Sequence, residues 1–273
     1  MYKLIACDLD QTLLCDDRSI SKNNIDAINK AIDSGIKFVI ATGRGFTSVQ
    51  NVLSDIGILG SSDEYVISLN GAIITENKDN KVLSFTGVDF DTVKKLFTYG
   101  IDNSLCTHIY TENDIYVYNI NDSEIEYLRG RVDNYQVIKD HDVSFLKDVP
   151  IAKVILHFYD ETMMDKIITD IKPLTDNKLS VSFSSNRYVE LNQLNVDKGT
   201  GLQKLAQLLN VEMSDTLAIG DNFNDLSMIL TAGIGACVSN SRSAVKAASD
   251  YVCLADNNHD AIREVIDKFI FQE

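Results

Sequence analysis

The chain of 273 residues is short of several features, and each shortage removes a class of protein. Its five cysteines, Cys7, Cys15, Cys106, Cys237 and Cys253, are odd in number, scattered and without a CxxC pair. That pattern speaks against a zinc site or a disulfide framework and for reduced thiols in or near a core. The four histidines, His108, His141, His157 and His259, show no ligand spacing. No apolar run approaches the roughly 20 residues that span a bilayer. The start, MYKLIACDLD, also lacks the basic and long apolar segments of a secretory signal, so the sequence reads as cytoplasmic with no membrane partner. Clustered lysine and arginine are missing as well: 25 basic residues stand against 40 acidic ones, a formal net charge of -15, which excludes a polyanionic nucleic-acid partner. A small anion is not excluded, because at physiological salt charges are screened over about 8 Å and a few local cations set the potential at a site. No repeat, low-complexity tract or signature of an obligate protein partner stands out.

What is present begins at Lys3 to Leu14, KLIACDLDQTLL, where an apolar run is followed at once by two acids. Lys3 to Cys7 is too continuously apolar for a half-exposed strand and predicts an inner strand of a parallel sheet. Asp8, Asp10 and Thr12 then fall at its carboxyl end, where open α/β sheets bind ligands. Two acids so close to a low-dielectric core call for a proton or a hard cation.

The rhythm continues as α/β. Ser21 to Ser34 predicts an amphipathic helix with a serine N-cap and Gly35 as its stop. Ile36 to Ala41 is a second buried strand ending in Thr42-Gly43-Arg44-Gly45, and Thr47 to Ile56 a helix. Tyr65 to Leu69 is a third strand, with turns at Asn70-Gly71 and Asp79-Asn80 into two hairpin strands. Between about Val88 and Asn186 helices such as Asp91 to Tyr99 and Glu161 to Ile171 alternate with strands such as Ile115 to Tyr118, Lys153 to Phe158 and Leu179 to Phe183. The chain's two prolines, Pro150 and Pro173, both lie there. This stretch reads as a second α/β domain inserted into the first. Beyond Tyr188 to Leu191 the βα rhythm resumes: helices at Lys198 to Leu209 and Asn224 to Leu230, strands at Thr216 to Ile219, Gly235 to Val238 and Tyr251 to Leu254, a helix to Ala248 capped by Ser241, and a closing helix at Asp260 to Phe269.

Three further groups sit at strand ends or helix starts. Thr42 offers a hydroxyl and neighbouring amides at a strand-to-helix turn, suited to a phosphate oxygen, although the GxxxxGK[ST] spacing of a Walker loop is absent. Lys198 stands at the first turn of a helix, against the dipole, where an ammonium can neutralise a phosphoryl oxygen and a carboxylate together. Gly220-Asp221-Asn222-Phe223-Asn224-Asp225 follows an apolar strand and packs oxygen donors suited to Mg²⁺ into one turn.

The order DxDxT, Thr, Lys, GDxxND resembles that of the haloacid dehalogenase superfamily, and nearly the whole chain is similar to its Cof-type, subclass IIB phosphatases. Asn70-Gly71-Ala72, Asn240 and Asn257 are further marks of that group. Departures occur at Asn195, at Cys237-Val238-Ser239-Asn240 and at Ala261, where relatives commonly carry glycine, Ala-Met-Gly-Asn and glycine. The resemblance implies a Rossmann-like parallel-sheet core over residues 1–86 and 187–273 and an inserted α/β cap of the C2B type over 87–186, moving near Thr86 to Asp89 and Ser185 to Arg187. It implies Asp8 as nucleophile and Asp10 as general acid and base. Mg²⁺ would be held by Asp8, the Asp10 backbone carbonyl and Asp221. Leu9, Thr42, Gly43, Lys198 and Asn224 would contact the phosphoryl group, with Asp225 orienting metal-bound water or Lys198. The expected activity is hydrolysis of a small phosphorylated metabolite, such as a sugar phosphate or a cofactor phosphate of the pyridoxal phosphate or flavin mononucleotide kind. A phosphomutase, or a regulatory relative without catalysis, are the alternatives.

Overall fold

The computed structural model describes residues 2–132 and 134–272, and the chain divides into two compact units, Met1–Ser84 with Asp197–Glu273, and Phe85–Val196. Among the described residues no helix is long and apolar enough to cross a membrane.

The first unit is built on an eight-stranded sheet. In chain order its strands are β1 (Leu4–Cys7), β2 (Lys37–Ala41), β3 (Tyr65–Ser68), β4 (Ile73–Glu76) and β5 (Lys81–Phe85), and it is completed after the insertion by β12 (Thr216–Gly220), β13 (Ile234–Cys237) and β14 (Tyr251–Val252). The spatial order is β14-β13-β12-β1-β2-β3-β4-β5, parallel from β14 through β3 and antiparallel at β3–β4. Every residue of β1 is buried, as its unbroken apolar run requires of a strand covered on both faces. Helix α1 (Lys22–Asp33) packs on α9 (Ala261–Ile266), and α6 (Lys198–Leu208) on α7 (Leu226–Thr231). Ser21 caps α1 through the Asn24 amide, and Gly35 turns the chain at φ +87°. The chain leaves β1 for β2 on one side and returns as β12 on the other. The strand order therefore reverses at β1, the switch point where such sheets open a crevice at their carboxyl ends.

The second unit carries a six-stranded sheet made of β6 (Thr107–Thr111), β7 (Ile115–Tyr118), β8 (Gln136–Ile138), β9 (Ile151–His157), β10 (Leu179–Ser184) and β11 (Tyr188–Gln193), in the order β10-β11-β9-β6-β7-β8. Helices α3 (Phe90–Asp102) and α5 (Glu161–Thr175) cover one face, over a core that includes Val93, Phe97, Val154, Leu156, Ile171 and Val189. A short helix, α4 (Asp122–Leu128), completes it.

Several expectations shift. The sequence returned the chain to the core at residue 187, yet β11 pairs antiparallel with β9 and β10, and its Val189 and Leu191 are buried in the second unit's core. That unit therefore runs to Val196. For the same reason the expected hinge at Ser185 to Arg187 lies inside a hairpin: the Arg187 carbonyl accepts from the Phe158 amide. The helix expected to end at Ile171 continues through Pro173 to Thr175, because its last turn still buries Thr175 and packs Leu174 on the core. The helix over residues 47–56 is a 3₁₀ turn, Phe46–Val49, running into α2 (Gln50–Asp55). Ser241 does not cap the following helix, α8 (Ser243–Ala248); its hydroxyl donates to the Gly220 carbonyl at 3.3 Å.

Candidate active site

Asp8, 6% exposed, follows directly on β1 with its amide donating to the Ile219 carbonyl of β12, and Asp221 follows directly on the end of β12 at Gly220. A β-carbon at Gly220 would stand 2.4 Å from the Asp225 β-carbon, so only glycine lets Asp225 fold back under the strand end. There the fully buried Asp225 accepts from the amides of Asp221 at 3.0 Å and Asn222 at 2.9 Å. Lys198 arrives from the opposite side at the first position of α6, whose N-cap Asp197 forms a reciprocal capping box with Thr200. Gly71 approaches that cap closely, with φ +95° and no room for a β-carbon against the Asp197 carbonyl. Thus the mark Asn70-Gly71-Ala72 seats the helix that delivers the lysine.

Fully buried, the Lys198 ammonium donates to Asp8 Oδ1 and, at 2.6 Å, to Asp225 Oδ1. Burial alone would push this lysine down, but the Asp225 and Asp8 carboxylates outweigh it and hold it well above the ordinary lysine range. Asp8, Asp221 and Asp225 each bring a carboxylate oxygen within 4.8 Å of the others. Burial, then the Asp225 charge, pushes Asp8 up to about 7, and burial, then the Asp8 charge, pushes Asp221 up to about 9. One lysine does not balance all three acids as carboxylates, so a proton or a further cation must neutralise Asp8 and Asp221. An oxygen-only donor set with excess negative charge fits a hard divalent cation, and Asp8 with Asp221 could hold it, since Asp225 is already engaged by Lys198 and two amides. Thr12, completely buried, donates to Asp221 Oδ1 at 3.2 Å and ties the first acidic loop to the second.

Asp10 stands apart from this cluster. Its side chain is 50% exposed and is gripped in bidentate fashion by Arg44, with Nε 2.9 Å from Oδ2 and Nη2 on Oδ1. The Arg44 amide donates to Thr42 Oγ1 at 3.1 Å. Thr42 itself, 1% exposed, closes β2: its amide donates to the Ile67 carbonyl, and its carbonyl accepts from the Asn70 amide. Gly43 faces the Asn70 amide group, with only 3.2 Å from an ideal β-carbon position to Asn70 Oδ1. The Leu9 carbonyl accepts from the Leu13 and Leu14 amides, and Asn224 is half-buried in the turn Phe223–Asp225. The late asparagines clasp the first loop: Asn240 Nδ2 donates to the Gln11 carbonyl at 2.9 Å, and Asn257 Nδ2 to the Leu14 carbonyl at 3.0 Å.

Asp8, Lys198, Asp221 and Asp225 therefore meet in one network, with Thr42 and Asp10 linked through Arg44. Sequence reasoning left Arg44 and Thr12 out of the site, although both lay inside its motifs.

A family model described as haloacid dehalogenase-like hydrolase matches residues 5–266. The chain is 30% identical over 269 residues to YxeH of Bacillus subtilis, which carries a provisional phosphatase name, with 97% of this chain and 99% of the relative covered. It is 27% identical over 251 residues to YcsE of the same organism, named as a 5-amino-6-(5-phospho-D-ribitylamino)uracil phosphatase, with 92% and 89% covered. Among solved structures, the subclass IIB sugar phosphatase BT4131 superposes with a TM-score of 0.83 at 21% identity, covering 98% of both chains, which speaks to the fold.

Proposed function

The chain belongs to the haloacid dehalogenase-like hydrolases of the Cof type and is a phosphatase, and from that premise we propose that it hydrolyses small phosphorylated metabolites through an aspartyl-phosphate on Asp8. The observation that carries this reading is the buried network in which Lys198 bridges Asp8 and Asp225 beside Asp221.

In the first displacement an Asp8 oxygen attacks phosphorus and the ester oxygen leaves, taking a proton from Asp10. In the second, Asp10 removes a proton from water, which attacks phosphorus, releases inorganic phosphate and restores the Asp8 carboxylate. Lys198 holds Asp8 in place and is a cation for a phosphoryl oxygen. The Thr42 hydroxyl, the amides of Leu9 and Gly43, and Asn224 are the donors for the remaining oxygens. Asp225 fixes Lys198 and the two amides that shape the second acidic loop. A bound Mg²⁺, held by Asp8, the Asp10 carbonyl and Asp221, would supply charge that offsets repulsion between an anionic nucleophile and an anionic ester. The inserted unit is read as a cap of the C2B type, and the substrates as sugar or cofactor phosphates, the class to which the named relatives point.

Phosphate release across a panel of phosphorylated metabolites, with Mg²⁺ and with chelator, tests the reading. Asp8→Asn should lower turnover at least about a thousandfold while thermal melting persists. Release that survives both the chelator and Asp8→Asn would refute it.

A further inference from the structure

The second unit holds a polar cluster that the phosphatase reading does not use. Along β6, β9 and β11 the residues alternate: Ile109, Leu156 and Val189 enter the core under α3 and α5, so His108, His157 and Tyr188 face the other way. On that face sits the carboxylate of Glu124 from α4, with no exposed surface. Its Oε1 accepts from the Tyr188 hydroxyl and lies 3.3 Å from His108 Nε2. Its Oε2 accepts from Arg187 Nη2 at 2.8 Å and lies 3.3 Å from His157 Nδ1. Burial alone would raise Glu124, yet the donors from His108, Tyr188 and Arg187 hold it below the usual carboxylate range.

The fit is incomplete. His157 is 2% exposed, and its Nδ1, although close to Oε2, makes no hydrogen bond; Arg187 Nε is likewise buried without a partner. Arg187 Nε, and His157 in the tautomer that carries its proton on Nδ1, are thus donors that the one carboxylate leaves unmet. Helix α4 has seven residues, of which Glu124 and Leu128 are buried, and beyond the Glu124 contact it is held by Tyr127, whose hydroxyl donates to Ser185 Oγ and whose ring lies under the Arg187 guanidinium. Left-handed Asn119 at φ +51° and Gly130 at φ +69° flank the helix.

We propose that His108, His157, Arg187 and Tyr188 form an oxyanion-binding site in which Glu124 is a built-in occupant, and that a carboxylate or phosphate group of a small molecule displaces it and releases α4. A tetrahedral oxyanion would bring a third oxygen to the donors that Glu124 leaves unmet. Nothing in this depends on the chemistry at Asp8.

Site-resolved hydrogen exchange on the full wild-type chain tests it, with sodium acetate, inorganic phosphate and sodium chloride compared at equal ionic strength. Phosphate or acetate, but not chloride, should speed exchange of the amides over Glu124 to Leu128 at least about fivefold and leave β9 protected. Whichever of the two acts identifies the anion class. In Glu124→Ala the same anions should restore a lowered melting temperature saturably, and adding Arg187→Gln should abolish that recovery. Unchanged α4 exchange in the wild type overturns the proposal even if the variant is rescued, leaving Glu124 a fixed pin. Should Glu124→Ala not fold, the wild-type exchange decides alone.

Discussion

Asp10 owes its orientation to a side chain from a different strand end. The Arg44 guanidinium meets both of its oxygens, and only a planar fork can do that. Because Asp10 is half exposed, the pair adds little to stability, on the order of 1 kcal/mol or less for such surface pairs. On the proposed mechanism its value lies in aiming the proton donor. Arg44→Lys keeps the charge but loses the fork, so kcat should fall about tenfold with melting within a degree or two of wild type; steady-state rates and calorimetry measure both. A variant as active as the wild type would mean that Asp10 finds its place unaided. At this scale the sequence marked out residues that the fold gathers in one place more readily than it said what they touch. Asp8, Lys198 and Asp221 were legible because residue type, order and position at a strand end agree. The Arg44–Asp10 pair was not, since nothing in either motif says which way a four-bond side chain turns. The Glu124 cluster left no trace, because its members are far apart in sequence and only the sheet brings them together.

Among the elements, the strands that read as unbroken apolar runs were found where expected, since burial on both faces leaves the chain little choice. Which sheet a strand joins is a different matter. Tyr188–Gln193 alternates in a way that suits either unit, and its partners β9 and β10 decided it. Loops follow a third rule, held by side chains from elsewhere. The loop after β1 carries Asp10, and Asn257 pins it with one amide group that donates to the Leu14 carbonyl at 3.0 Å and Asp16 Oδ1 at 3.1 Å. Leu14 is 4% exposed, so its carbonyl has no water to turn to once Asn257 is removed, whereas the exposed Asp16 carboxylate does. Asn257→Ala should cost about 1–3 kcal/mol in urea unfolding, the penalty of stranding a buried acceptor. It should also lower kcat, by letting the stretch between Asp10 and Asp16 move. Loss of stability with full activity would separate the clasp from the chemistry.

The two units give the whole molecule opposing responses to pH. In the second, burial depresses His157 to about 4 from an ordinary 6.5, so it is neutral when folded and the unfolded chain takes up the extra proton between those values. Stability there is complete above pH 6.5 and falls as pH drops toward 4, by up to about 3 kcal/mol for a shift of this size. In the first, burial raises Glu64 to about 7 from 4.5, with Lys37 at 3.7 Å only partly offsetting it. That unit keeps a proton which the unfolded chain has lost, so it is more stable at pH 4.5 and weakens as pH rises to 7. The raised Asp8 and Asp221 act in the same direction. Slow-exchanging amides of β9 and β2 report the two units separately once intrinsic rates are corrected. On going from pH 7 to pH 5 the opening free energy of β9 should fall while that of β2 rises. Mg²⁺ at pH 7 should then raise β2 alone, by about 2.7 kcal/mol at a hundred times its dissociation constant, because a bound cation relieves the acids that Lys198 leaves unbalanced. Equal movement of β2 and β9 in both experiments would mean that the two units open as one, and the separate pH responses of Glu64 and His157 would then merge into a single, flatter profile.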